Sequence, residues 1–222
     1  LAAVFSPRRY LLGTTFAFLA ASVACAWAWD LNSLIAFRVV QGFTGGAMIP
    51  MALTLVLRLL PERHHAAGFA VFGMTATFAP AIGPSIGGWL TESYGWPWIF
   101  YMNLVPGVLM LAALAWGMDR EKADFSKLRH GDWAGIFTVA TGLACLITLL
   151  EEGNRNDWFH SPAMTGLAVV AVVMLAAGVI IELRVRDPFI DLRLLGRRGF
   201  GISCLVGTVF GLGMYGVMYV VP

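Results

Sequence analysis

The sequence predicts an all-α membrane protein, a polytopic helical bundle with about seven transmembrane helices. Of its 222 residues, 59% are hydrophobic and 13% are charged, whereas about a quarter of the residues in a typical soluble domain are charged. One soluble core cannot hide that much apolar surface, so lipid should solvate much of the chain. The apolar runs lack the period-two alternation of a transmembrane β-barrel.

Seven apolar stretches are long enough for a helix that crosses a hydrocarbon core about 30 Å thick. They are residues 11–29, 33–57, 67–90, 98–117, 133–150, 163–182 and 199–221. The chain begins and ends within apolar sequence and lacks the basic start and cleavage site of a signal peptide. We therefore expect it to be a piece of a longer protein.

The basic residues predict the orientation. Thirteen of the fifteen Lys and Arg residues fall in connections on one side of the predicted spans: Arg8, Arg9, Arg58, Arg63, Arg120, Lys122, Lys127, Arg129, Arg184, Arg186, Arg193, Arg197 and Arg198. The opposite connections contain only Arg155, together with a cluster of Trp and Tyr residues that suits the headgroup level. Because cytoplasmic loops are enriched in Lys and Arg, the residue 1 end should be cytoplasmic.

The second predicted span contains a charged residue above a strip of glycines. Arg38 is followed by Gln41, Gly42, Gly45 and Gly46, at spacings that place all five on one helix face. The glycines would allow a neighbouring helix to approach closely. Arg38 either lies in a substrate or proton path, or extends to the outer headgroups, which its position about one turn into the span permits.

The third predicted span is rich in helix-disrupting residues. Pro80 and Pro84 remove backbone donors and favour a kink, while Gly83 and Gly87 form a GxxxG packing face, followed by Gly88. Neighbouring helices can tolerate such residues in a membrane. The segment is expected to act as a hinge or seal, with a purely structural bend as the alternative.

Other patterns exclude several kinds of site. The three cysteines lack zinc or disulfide spacing, and the GxGxxG match at residues 211–216 lies in an apolar run rather than after a strand. His64 and His65 are expected in a solvated loop. All thirteen acids lie in loops or at span ends, with Asp30 and Glu182 nearest to a span and expected at the interface. We therefore predict no metal, no cofactor, no catalytic constellation and, with a net charge of only +2, no nucleic-acid partner.

Several segments resemble signatures of the major facilitator superfamily. Residues 34–42, LIAFRVVQG, resemble the arginine motif of the fourth helix in its drug exporters, and residues 83–88, GPSIGG, resemble the antiporter motif of the fifth. Residues 95–103, GWPWIFYMN, are similar to the start of the sixth helix. The segments NDW at 156–158 and DPFIDL at 187–192 are similar to connections in EmrB/QacA-type drug:proton antiporters with fourteen spans.

The resemblance covers essentially the whole chain and implies a domain organisation. Residues 1–117 would be four spans of the N-terminal six-helix half, 118–198 a cytoplasmic linker with two inserted spans, and 199–222 the first span of the C-terminal half. The spans would thus be helices three to nine of a partial major facilitator fold. The family's first helix, where an acidic residue often carries the proton, would lie outside the sequence.

The resemblance also implies a function: proton-coupled efflux of hydrophobic or cationic toxic compounds across the bacterial inner membrane by alternating access. Arg38 and Gln41 would serve proton coupling, and the bend at Pro80–Gly88 would block leakage. The implied partners are small substrates, protons and lipid and, in some relatives, a periplasmic adaptor and an outer-membrane channel. An exporter of one metabolite (a sugar, siderophore or amino acid) is the alternative. A membrane enzyme or sensor would need a catalytic or signalling element that the sequence does not show.

Overall fold

The computed structural model describes residues 6–119, 132–185 and 190–220, and its regular structure over those residues is entirely helical. Within these described residues, six helical segments are long and apolar enough to cross a membrane: Pro7–Ala26, Leu31–Leu59, Glu62–Tyr94, Trp98–Gly117, Trp133–Glu152 and Pro162–Arg184. They confirm the first six predicted spans. The seventh coincides with a helix at Arg198–Val220, whose described apolar stretch, Arg198–Gly213, is shorter than a full span.

The chain divides into two compact units, residues 1–129 and 130–222. The first contains helices α1 (Pro7–Ala26), α2 (Leu31–Gly45), α3 (Met48–Leu59), α4 (His65–Tyr94), α5 (Trp98–Tyr101) and α6 (Leu104–Gly117). The second contains α7 (Trp133–Glu152), α8 (Pro162–Arg184) and α9 (Arg198–Val220). Short 3₁₀ helices lie at Glu62–His64, Trp158–His160 and Leu192–Gly196.

Helix α1 is the centre of the first unit, where it packs against α2, α3, α5 and α6. It begins where the Ser6 side chain accepts the Arg9 N–H at 3.3 Å and Pro7 occupies the first turn, which needs no N–H donor. Its buried face follows the helical period: Leu11, Thr15, Leu19, Ser22 and Cys25. Two of these side chains carry hydroxyl groups, so the face is only partly apolar.

Two predicted spans differ from the structure because each is a broken helix. The span 33–57 consists of α2 and α3, which separate after Gly45, and the span 98–117 consists of α5 and α6, which separate after Tyr101. Both new helices carry a proline, Pro50 or Pro106, as their third residue. The first four N–H groups of a helix have no intrahelical partner, so proline is tolerated there and marks a restart.

Helix α4 carries the proline- and glycine-rich segment and continues through both Pro80 and Pro84 over 30 residues. None of its side chains is buried, and its packing partners in the described unit are α3, α5 and the preceding 3₁₀ turn. It ends at Gly95, whose φ of 90° suits a residue without a Cβ.

Helices α7 and α8 form an antiparallel hairpin in the second unit, and a seam of small residues joins them. The residues buried in the seam recur every seventh position: Gly135, Gly142 and Leu149 on α7, and Met164, Ala171 and Gly178 on α8. Spacing of this kind is typical of helices that supercoil around each other. At Gly142 an added Cβ would lie 2.7 Å from Leu175 Cγ, so glycine is required for this close approach.

Candidate functional site

A groove of about 630 Å³ opens beside α2 in the first unit. Every polar residue and glycine that the sequence singled out in the second span lines this groove. Its full lining is Phe18, Arg38, Gln41, Gly42, Gly45, Gly46, Met48, Ile49 and Asn103. The groove therefore combines one cation and two amides with an apolar wall.

The guanidinium of Arg38 is held in the groove by two contacts. Its Nη1 donates to Gln41 Oε1 at 3.1 Å, and its Cζ lies 4.6 Å from the centroid of the Phe100 ring. Gln41 is 4% exposed, whereas Arg38 remains open to the groove. A guanidinium has five N–H donors, and no acid among the described residues forms an ion pair with Arg38. Arg38 can thus accept a further partner, either an anion or a neutral acceptor.

Polar groups at the α5–α6 break hold Phe100 beneath the guanidinium. The fully buried Ser22 hydroxyl on α1 donates to the Phe100 carbonyl at 3.0 Å, and Asn103 Nδ2 donates to Ser22 Oγ at 3.1 Å. Ser22 was not predicted from the sequence, and Phe100 and Asn103 had no predicted role. The polar positions Thr15 and Ser22, two turns apart in an apolar helix, were the available signal.

The three glycines of α2 have different surroundings. A Cβ on Gly45 would lie 3.1 Å from the Phe18 ring of α1, and one on Gly46 would lie 3.2 Å from the Gly42 carbonyl oxygen. A Cβ on Gly42 would meet nothing within 4 Å. The close packing expected of these glycines as a group stays a prediction; Gly45 lies close to Phe18 of α1, and all three line the groove.

The antiporter-like segment lies apart from Arg38, on the exposed face of α4. Gly83 lines a second groove of about 620 Å³, which is mostly apolar and also includes Phe78, Ile82 and Met102. Added Cβ atoms at Gly83, Gly87 and Gly88 would meet no other atom within 4 Å. The bend predicted at Pro80 and Pro84 stays a prediction.

Asp30 lies at the start of α2 as a helix cap. Its Oδ1 accepts the Ser33 N–H at 2.7 Å, and the Ser33 hydroxyl completes a reciprocal cap on the Asp30 backbone. Hydrogen bonding from the Ser33 side chain and from its N–H lowers the pKa of Asp30 below the usual 3.8. Asp30 thus serves as the N-terminal cap of α2. Within the described parts of the chain, no three His, Cys, Asp or Glu residues are grouped to hold a metal ion.

Comparisons with known proteins agree with this architecture. The chain is 36% identical over 222 residues to the colistin resistance protein EmrB of Acinetobacter baumannii, covering 99% of this chain and 43% of that protein. It is 35% identical over 222 residues to the multidrug export protein EmrB of Haemophilus influenzae, covering 100% and 43%. The multidrug transporter protein MdtP of Bacillus subtilis is 33% identical over 205 residues, covering 92% and 38%.

The chain spans less than half the length of these relatives. The family model for the Major Facilitator Superfamily matches residues 1–222. Together with the apolar helices of membrane-spanning length, this match identifies the chain as a multi-pass membrane segment that belongs to the Major Facilitator Superfamily.

Proposed function

We propose that this chain forms part of a proton-coupled exporter of hydrophobic or cationic toxic compounds. The exporter works by alternating access in the bacterial inner membrane, with the residue 1 end on the cytoplasmic side. Relatives named for multidrug export and colistin resistance support efflux. The sorting of Lys and Arg between the connections supports the orientation.

The observation that carries the proposal is Arg38 in its groove, which has no acidic partner among the described residues. A cation without an acidic partner inside a span is costly unless another part of the protein or the substrate supplies a counter-charge. A carboxylate outside this chain would be attracted to Arg38 when ionised and released when protonated. Protonation of that carboxylate would therefore change the contacts of α2 directly. Gln41 keeps the Arg38 guanidinium oriented in both states.

The remaining groove residues favour the apolar part of a substrate. Phe18, Met48 and Ile49 form an apolar wall, and the glycines of α2 add no bulk. No carboxylate lines the groove among the described residues. A cationic substrate would therefore obtain its counter-charge from the rest of the exporter. The proline–glycine segment of α4 would supply the bend that prevents leakage during exchange.

The test is substrate-dependent proton exchange by the intact protein in proteoliposomes. Arg38→Ala should abolish exchange because both the charge and the contact with Phe100 are lost. Arg38→Lys should retain only a small part, since an ammonium group keeps the charge but not the planar stacking. Arg58→Ala is the matched control, because Arg58 is exposed near the end of α3 and should not affect exchange. Normal exchange in Arg38→Ala would refute the coupling role.

The substrate range separates this proposal from an exporter of one metabolite. Cells that express the intact protein should accumulate less of several unrelated hydrophobic and cationic dyes. A dedicated metabolite exporter would leave most of these dyes unaffected. The proposal also includes a periplasmic adaptor and an outer-membrane channel as partners, and their recovery after crosslinking in intact cells is the corresponding test.

A further inference from the structure

The second unit contains a buried carboxyl group that the groove mechanism does not use. Glu182, in the last turn of α8, is 1% exposed. Its Oε2 accepts the Ile190 N–H at 3.0 Å, which attaches the segment after α8 to the end of that helix. Its Oε1 is inaccessible to solvent and has no hydrogen-bond partner. An ionised carboxylate left in this way would carry a substantial desolvation cost.

A second carboxyl group lies beside this unpartnered oxygen. Asp132 caps α7 by accepting the Gly135 N–H on Oδ1 at 2.9 Å, and its Oδ2 is buried without a partner. Asp132 Oδ2 and Glu182 Oε1 each lie less than 3.0 Å from the point that a Cβ on Gly135 would occupy. The distance between the two oxygens is therefore less than twice 3.0 Å. The missing side chain of Gly135 creates the space that they share.

The nearby charged groups do not neutralise this pair. Arg193 Nη2 donates to the Leu183 carbonyl at 2.8 Å, and Asp191 Oδ1 accepts the Arg193 N–H at 3.2 Å. Arg184, at the end of α8, is the remaining charged residue on α8 and on the 3₁₀ helix packed against it. Over the described residues, none of these groups forms an ion pair with Glu182 or Asp132. Two ionised carboxylates at this separation would repel each other, and neither could donate to the other.

We propose that Asp132 and Glu182 share one proton in an O–H···O hydrogen bond. A single proton removes one charge and supplies a partner for both orphaned oxygens. Among the described residues, no third His, Cys, Asp or Glu joins them to hold a metal ion, so the geometry favours a proton as the occupant.

The helix termini determine which carboxyl group holds the proton. Asp132 lies at the N-terminus of α7, where backbone N–H groups favour a negative charge. Glu182 lies near the C-terminus of α8, where backbone carbonyl groups disfavour a negative charge. Glu182 Oε1 therefore carries the proton and donates the hydrogen bond, and Asp132 Oδ2 accepts that bond. The shared proton fastens the start of α7, the end of α8 and the segment at Ile190. This site lies outside the Arg38 groove and does not depend on the proposed substrate.

The proposal predicts an infrared signature in the intact protein. A protonated carboxyl group has a carbonyl-stretch band distinct from that of carboxylates, and the parent protein at neutral pH should show it. Glu182→Gln and Asp132→Asn should each lose the band, because the new amide group donates to the remaining carboxylate, which then stays ionised. Glu152→Gln should keep it, since Glu152 is an exposed partner of Arg155 at the other end of α7.

Isotope labelling tests the parent protein without relying on the folding of any variant. Labelling the carboxyl carbon of glutamate should shift the band, and labelling that of aspartate should leave it in place. A parent protein without the band, with both acids ionised around a cation, would overturn the proposal. Persistence of the band in Glu182→Gln would also overturn it.

Discussion

Replacing Gly142 with alanine should destabilise the α7–α8 hairpin because the added methyl group has no space. The new Cβ would lie 2.7 Å from Leu175 Cγ and 3.0 Å from the Leu175 backbone nitrogen. Since backbone as well as side chain is involved, rotation of Leu175 alone cannot relieve the contact. Overpacking of this kind costs about 1–3 kcal/mol. Alanine's higher helix propensity offsets up to about 1 kcal/mol of that cost.

Gly166→Ala is the matched control, since it makes the same change on α8 where an added Cβ meets nothing within 4 Å. Gly166→Ala should therefore be stabilised by alanine's higher helix propensity, with no cost of overpacking. The free energy of unfolding should be lower in Gly142→Ala than in the control by about 1–3 kcal/mol. It can be measured for the intact protein in mixed micelles with increasing denaturing detergent. Equal stability of the two variants would show that the seam is not tightly packed.

Ser22→Ala should destabilise the protein by about 0.5–1.5 kcal/mol, because the buried carbonyl of Phe100 would lose its donor from α1 and keep only backbone donors such as the Asn103 N–H, 3.2 Å away. Ser203→Ala, at an exposed position bonded only within its own helix, should change the unfolding free energy by less than about 0.5 kcal/mol, and a similar loss in both variants would contradict this reasoning. Asp30→Asn should remove a pH-dependent part of stability. The lowered pKa of Asp30 means that its ionised form stabilises the native state above the ordinary value of 3.8, and that this contribution disappears as pH falls through the lowered pKa. Between about pH 6 and about pH 3, the midpoint temperature of thermal unfolding should fall less steeply in the variant than in the parent protein. Identical slopes would argue against the cap with Ser33.

The positions of the spans could be predicted from hydropathy because burial in lipid requires long apolar runs. Hydropathy does not report whether a run is one helix or two, so the breaks after Gly45 and Tyr101 were missed. Pro50 and Pro106 are compatible with these breaks because proline is favourable in a first turn, but α4 continues through Pro80 and Pro84, so proline alone does not mark a break. Small seam residues such as Gly142 were overlooked because they show no polar contrast with their apolar neighbours.

Only those parts of the candidate site that lie on a single helix could be predicted from the sequence. The spacing of Arg38 and Gln41 placed them on one face of α2, and the structure joins them by a hydrogen bond. Phe100 and Ser22 reach the same place from other helices, which local spacing cannot reveal. For the same reason the burial of the Glu182 side chain, next to Gly135 of α7, could not be predicted.

The seven-residue seam of the α7–α8 hairpin also bears on how these two spans assemble. Two consecutive spans that carry complementary surfaces can pair as soon as both have been synthesised, and they need no later helix as a template. The repeat from Gly135 to Gly178 therefore gives this pair of spans a fit to each other that needs no third helix.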